Sequence, residues 1–406
     1  MKKPLFILLA FSFIFQVAQA QEKKVMLILL DGIPADVIES VETPSLDAIA
    51  TLGGYTRAYV GGKKGAYSQT PTISAPGYMN MITGVWANKH NVWGNGVKAP
   101  NYNYWNVFRI VKQANPKKKV AIFSTWLDNR TKLVGESLPA TDGFKFDYSF
   151  DGFELDTIAF PHKTDRKFIY NIDEHVSKEA ARYIKSEAPD LSWVYLEFPD
   201  DIGHKFGDGP EMTDAVKKAD VQVGRIWQAI KYRESQHQED WMIIITTDHG
   251  RTAKDGMGHG GQSARERTTW ITTNQKNINP KFQNNPAIVD IMPSILAHMD
   301  IAPSEELRME IDGVSLLNRV AISDLKATYS DGRLDLGWIN YGAKELEILI
   351  TDTNNFAKGG TDTYRSIGNV KSSLMSFSKK MSLPPGTYKI VLKSSANWIN
   401  TWLVID

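Results

Sequence analysis

Three short apolar runs in this chain end beside an aspartate, and two of those aspartates have a histidine close behind. Asp31-Gly32 follows Val25–Leu30. Asp200 follows Leu191–Phe198 and Pro199, with His204 four residues on. Asp248-His249 follows Trp241–Ile245 and two threonines. A further histidine, His259, lies in Gly256-Met257-Gly258-His259-Gly260-Gly261, where glycines let the backbone bend closely around an ion. Carboxylate oxygens mixed with imidazole nitrogens are the donors of Zn²⁺, with Mn²⁺ or iron as other fits; an all-oxygen set would suit Ca²⁺ or Mg²⁺. Six such side chains can serve two divalent ions, at about three protein ligands each, with positions left open for a substrate. One Asp-x3-His is commonplace, and one strand-end aspartate is ordinarily a turn residue. The conjunction of all three carries the reading. His90, His162, His175, His237 and His298 read as surface or packing residues.

A nucleophile is available nearby in type. Thr70-Pro71-Thr72-Ile73-Ser74-Ala75-Pro76-Gly77 precedes an apolar stretch that reads as a short helix to Ile82. Ser74 is expected at the cap, with Pro76 in the first turn where its missing N–H costs nothing. A helix start offers free N–H groups and a positive dipole end to an anion. A hydroxyl there, beside a metal, can ionise near neutral pH and attack phosphorus. Without the metal cluster the serine would be a plain cap. Thr72 is a rival hydroxyl that local chemistry does not separate from it.

These residues need elements to bring them together. The runs at Val25–Leu30, Val120–Phe123, Leu191–Phe198 and Trp241–Ile245 are apolar on both faces, as strands of a parallel sheet covered on each side must be. Amphipathic stretches at Glu174–Ile184 and Met212–Tyr232 supply covering helices. The alternation predicts an α/β, doubly wound, mostly parallel sheet with helices on both faces. Ligands bind such sheets beyond the carboxyl ends of the strands, which is where the aspartates lie. From about Leu325 the chain changes to short β runs (Leu346–Ile350, Tyr388–Leu392, Trp402–Ile405) between turn clusters such as Pro384-Pro385-Gly386. The expected layout is therefore a catalytic domain over 21–322 and a small C-terminal β-sandwich over 323–406.

With its residues in this order, the chain resembles the alkaline phosphatase superfamily, in particular its nucleotide pyrophosphatase/phosphodiesterase branch, over about residues 25–318. Ser74-x-Pro76 stands nine residues before Thr83-Gly84, His90 follows that threonine by seven, and Asn95 follows Ser74 by 21; Thr72 fits none of these intervals. The resemblance implies one metal held by Asp31, Asp248, His249 and the Ser74 oxygen. It implies a second held by Asp200, His204 and His259. Phosphate would bridge the two, with Asn95 and the Ala75 N–H donating to its oxygens. The implied mechanism is double displacement through a phosphoseryl intermediate on Ser74, which water then hydrolyses. Two departures stand out. Gly77 replaces the usual Asn after the motif's proline, and Tyr78-Met79 replaces His-Tyr; both are expected at the rim of the site. Arg130, in Trp126-Leu127-Asp128-Asn129-Arg130, occupies the region where monoesterase relatives clamp phosphate. Trp126 and Trp93 are expected to contact substrate.

Phosphodiester or pyrophosphate hydrolysis is thus the leading expectation, on a small ester that is sugar- or nucleoside-linked. Phosphomonoester hydrolysis rests on Arg130 alone. A sulfatase needs a basic residue where Tyr78 stands. A non-catalytic glycan-binding relative would use the 11 tryptophans but would ordinarily have lost ligands. A formal charge of +1 gives no electrostatic case for nucleic acid. Residues 1–20 read as an export signal (Lys2-Lys3, apolar Leu5–Phe15, Ala18-Gln19-Ala20), so a periplasmic or extracellular protein without a membrane span is expected. The absence of cysteine leaves stability to the core and to metals.

Overall fold

The computed structural model describes residues 21–406; the expected export signal lies outside them. Seven strands form the central sheet: β1 (Glu22–Leu30), β2 (Gly54–Tyr59), β3 (Val120–Ser124), β4 (Tyr148–Phe150), β5 (Leu191–Leu196), β6 (Glu239–Thr246) and β7 (Thr268–Thr273), in the order β2-β7-β6-β1-β5-β3-β4. The block β6-β1-β5-β3-β4 is parallel, and β7 runs antiparallel to both its neighbours. The sheet is mostly parallel, as the unbroken apolar runs require.

Those runs feed two cores by strand alternation. In β1, Val25, Leu27 and Leu29 enter one core while Met26, Ile28 and Leu30 enter the other. Trp193 and Val194 of β5, and Ile244 and Ile245 of β6, divide the same way. One face is covered by the helices Ser74–Thr83, Val107–Ala114 and Ile291–His298, the other by Pro44–Leu52, Lys167–Glu187 and Pro210–Gln236. The three aspartate-ended strands, β6, β1 and β5, are neighbours at the centre of the sheet. Strand β5 stops at Leu196, two residues before the expected end, because the chain turns there into the Phe198–Phe206 helix with Pro199 in its first turn. No helix among the described residues is long and apolar enough to cross a membrane.

Past Ile322 the chain is antiparallel. Strands β8 (Ile322–Ser330), β9 (Arg333–Asn340), β10 (Glu345–Thr351), β11 (Arg365–Lys371), β12 (Ser376–Lys380), β13 (Gly386–Lys393) and β14 (Trp398–Ile405) form a sheet β11-β10-β13-β14 and a sheet β12-β9-β8. Leu336, Ile348, Ile390 and Leu403 share one core with Ile322 and Trp338.

Candidate active site

The three central strands deliver their aspartates to one point. Asp31 leaves β1 with its N–H donating to Leu196 O of β5, 3.0 Å away. The Gly32 N–H donates to Asp248 Oδ1 (3.2 Å), which ties β1 to the end of β6. Asp200 sits in the first turn of the Phe198–Phe206 helix, and His204 one turn on brings its Nε2 within 3.3 Å of Asp200 Oδ2. His259 arrives on the glycine-rich loop and stacks on His249, with ring centroids 3.7 Å apart.

The structure gathers two donor groups, Asp31–Asp248–His249 and Asp200–His249–His259, whose ligand atoms lie within 4.8 Å of one another. His204 adjoins the second group, its Nε2 3.0 Å from the Nε2 of His259. The chemistry of these donors fits a cation. His249 Nδ1 lies 3.0 Å from Gly250 O, and His259 Nδ1 lies 3.0 Å from Thr72 O. A proton on each Nδ1 leaves the Nε2 lone pair facing inward, the arrangement by which backbone carbonyls orient metal-binding imidazoles. The His249 Nε2 then faces Asp31 Oδ1 at 3.5 Å and Asp248 Oδ2 at 3.3 Å. Both of those buried oxygens lack a hydrogen-bond partner among the described residues. Two acceptors and a lone pair meeting in a buried space repel unless positive charge lies between them.

The acid–base properties agree. Burial, and next the charge of Asp200, push the Asp31 carboxyl up to about 7 despite hydrogen bonds from Tyr78 and Tyr195. Burial with the Asp31 charge drives Asp248 well above the carboxylate range. Burial, reinforced by the neighbouring His259, holds His249 well below the usual imidazole value. Asp200 moves the other way. Burial opposes its charge, but the hydrogen bond with His204 and the charge of Arg251 overcome this and keep it ionised.

Ser74 is the first residue of the Ser74–Thr83 helix, and Ile73 rather than Ser74 is the cap residue. Its side chain caps nothing, so Oγ is left for chemistry, 3.4 Å from His249 Nε2. Thr72, the rival, is committed: its hydroxyl donates to Gly261 O (2.8 Å) and accepts from the Gly260 N–H (3.0 Å), which fastens the His259 loop. Asn95 reaches the same helix start, where its Oδ1 accepts the Ala75 N–H at 3.0 Å. Ala75 therefore already has a partner, and it is Asn95 Nδ2 that remains open among the described residues.

Two expectations are corrected here. Gly77 and Tyr78 do not lie at the rim. A Cβ on Gly77 would stand 2.9 Å from Asp248 Cβ and 3.0 Å from its carbonyl oxygen, so glycine is what lets this helix press on the segment that carries Asp248. Tyr78 is fully buried, and its hydroxyl hydrogen-bonds Asp31 beside Tyr195, whose OH donates to the same oxygen at 2.7 Å. Arg130 is also spoken for: it pairs in two bonds (2.7 and 2.8 Å) with Asp151 and in a third with Glu136, so its guanidinium is not a free phosphate clamp. Trp126 packs its edge against Tyr78, at 6.2 Å between centroids. Trp93 is 47% exposed on the Asn95 loop and donates its indole N–H to Asn91. His90, expected among surface or packing residues, is fully buried, with Nε2 2.9 Å from Asn80 Oδ1 and Nδ1 accepting from the Val92 N–H.

Sequence reasoning missed Arg251. It is completely buried, hydrogen-bonds Asp200 through both side chain and carbonyl, and donates to Gly32 O (3.0 Å) and Gly256 O (3.2 Å). It thereby ties the Asp31, Asp200 and His259 segments to its own, which carries Asp248 and His249. The lack of a Cβ on Gly203 lets the guanidinium cross the helix there. The available signal was an arginine two residues after His249, at a strand end already rich in charge.

A mostly parallel sheet with aspartates gathered at its carboxyl edge and a hydroxyl at a helix start matches the architecture of the alkaline phosphatase superfamily. Within it, the chain belongs to the type I phosphodiesterase / nucleotide pyrophosphatase family, whose sequence model matches residues 25–311. Human ectonucleotide pyrophosphatase/phosphodiesterase family member 7 is 26% identical over 255 residues, covering 59% of this chain and 50% of that protein. The chain thus spans about half the length of the curated relatives it matches. In fold it is similar to the phosphonate monoester hydrolase of Agrobacterium radiobacter (TM-score 0.52, 16% identity, 94% of this chain and 89% of that one). It is likewise similar to murine ectonucleotide pyrophosphatase/phosphodiesterase 5 in complex with AMP (TM-score 0.50, 14% identity, 70% of this chain and 96% of that one).

Proposed function

We propose that this protein is an exported two-metal hydrolase of phosphodiester or pyrophosphate bonds that works through a phosphoseryl intermediate on Ser74. The observation that carries the proposal is the Ser74 Oγ at a helix start, whose hydrogen-bond partner, at 3.4 Å, is the imidazole shared by both donor groups. Asp31, Asp248 and His249 would hold one ion beside Ser74, and Asp200, His204 and His259 the other, with Zn²⁺ the expected metal from the mixed donors. Such ions supply positive charge that favours the ionised hydroxyl and offsets the charge on phosphate.

The chain's own residues do the rest. Ser74 Oγ gives up its proton to solvent water and attacks phosphorus; the Oγ–P bond forms as the bond to the leaving oxygen breaks, and that oxygen departs as its anion and takes a proton from solvent. Water then attacks the same phosphorus and the Oγ–P bond breaks, returning the hydroxyl. Asn95 Nδ2, its Oδ1 anchored by the Ala75 N–H, is placed to donate to a phosphoryl oxygen. Arg251 keeps Asp200 ionised and fixed throughout. Engagement of Arg130 by Asp151 and Glu136 favours a diester, which carries one charge less than a monoester and needs no such clamp. The leaving group belongs to a small molecule, sugar- or nucleoside-linked, and Trp93 and Trp126 are the aromatic faces proposed to meet it.

The test is a pair of rates on zinc-loaded protein, for a bis-aryl phosphodiester and the matching aryl phosphomonoester. A higher kcat/KM for the diester is expected. A reversed preference would make the protein a phosphomonoesterase, and inertness toward both would remove the enzymatic reading.

A further inference from the structure

A second concavity lies away from the metal centre, where the antiparallel module meets the catalytic sheet's helices. It has a volume of about 410 Å³, within the range of small-molecule sites, which favour such junctions between units. Three chain segments distant in sequence build it: 103–114, 302–307 and 356–361. Trp105 and Phe356, both half-buried, bring aromatic surface to the cleft. One face of Trp105 is covered by the Arg109 guanidinium, 3.9 Å from the ring centroid. The Arg109 charge is in turn matched by Asp142, so the arginine does not make the cleft an anion site. Exposed amide, hydroxyl and carboxylate groups of Gln113, Thr361 and Glu306 line the cleft as well.

Aromatic surface with amide, hydroxyl and carboxylate groups around it matches the two surfaces of a sugar ring, apolar C–H on a face and hydroxyls at the edge. A phosphate or nucleotide would need unpaired positive charge, which this cleft lacks. We propose that the cleft is a binding site for a neutral saccharide residue, stacked on Trp105 and clasped by the 356–361 turn of the C-terminal module. The assignment does not depend on the catalytic reading. If both hold, the cleft would retain glycan-borne substrates near a phosphoesterase.

Saturation-transfer NMR and calorimetry on the whole chain test this, using methyl glycosides of glucose, galactose, mannose and N-acetylglucosamine as probes. The expected result is saturation transfer to at least one glycoside, with a Kd on the order of 1 mM. Ala302→Trp fills the cleft from an exposed position and should abolish that binding. Trp105→Ala should weaken it about tenfold, the loss of one stacked face. Ser74→Ala, in the catalytic site, should leave it unchanged. Because Trp105 also packs on the core, the Ala302→Trp result decides if Trp105→Ala fails to fold. Absence of transfer from every glycoside overturns the proposal. So does binding that survives Ala302→Trp, or a response to adenosine alone, which would mark a nucleoside cleft.

Discussion

His249 holds the site's logic in one ring: its Nδ1 is tied to Gly250 O, and its Nε2 faces two buried carboxylate oxygens that have no hydrogen-bond partner among the described residues. Chelation should therefore lower Tm, and added Zn²⁺ should restore it. Binding at about a hundredfold excess over Kd contributes about 3 kcal/mol. Differential scanning fluorimetry with metal analysis checks this; an unchanged Tm in protein that carries no metal would refute the cation site. Gly77 gives a second prediction. Gly77→Ala places a methyl against Asp248 and should cost about 1–3 kcal/mol of stability with weakened metal retention; unchanged stability would mean the helix is free to shift. The residues of the two donor groups were legible in sequence because strand-end aspartates and glycine-flanked histidines follow from local pattern. Tyr78 and Arg251 were not, because a side chain's partner across the sheet is set by packing that no local spacing encodes.

The Ser74–Thr83 helix is held at its far side by His90, whose neutral ring spans Asn80 and the Val92 N–H. Burial depresses this imidazole to about 3. The unfolded chain, with histidine near 6.5, takes up the proton first as pH falls. His90 thus contributes its full stability above about pH 6.5, and that contribution is lost progressively as pH drops toward 3. In His90→Asn, which keeps an acceptor for Val92, the decline in unfolding free energy between pH 6.5 and 4 should be shallower; an unaltered slope would assign the acid sensitivity elsewhere. At this scale the sequence was clearest for β1, β3, β5 and β6, whose residues are apolar on both faces. It was silent on β7, because Thr268-Thr269-Trp270-Ile271-Thr272-Thr273 is mostly threonine and reads locally as polar. The Ser74 helix was legible from its proline and apolar run, though its boundary fell one residue early.

Across the whole molecule, the C-terminal sheets are fastened to the catalytic sheet's helices by buried charge. Lys89 is fully buried, and its ammonium bonds Asp312 Oδ1 (2.6 Å), Glu310 O (2.6 Å) and Asn400 Oδ1 of β14 (2.9 Å). Lys389 of β13 pairs with Glu310 and Asp362 beside it, and Tyr67 stacks on Trp402 at 5.7 Å. Removing one partner of a buried ion pair leaves the other uncompensated, so Lys89→Met should cost about 3–5 kcal/mol in denaturant unfolding. A cost near zero would show that the two parts do not depend on each other. The change to β runs after Leu325 was visible in composition and turn residues. The clamp at Lys89 was not, since Asn88-Lys89-His90-Asn91 reads locally as a polar surface turn and gives no sign of a partner about three hundred residues away.

The most direct test of Ser74 as nucleophile is rapid-quench mass spectrometry of zinc-loaded protein during turnover of the bis-aryl phosphodiester. An aryl-phosphoryl adduct on Ser74 is predicted, absent from Ser74→Ala, whose turnover should fall at least about 10³-fold while its metal content is retained. Turnover with no adduct, an adduct on Thr72, or full activity in Ser74→Ala would contradict it.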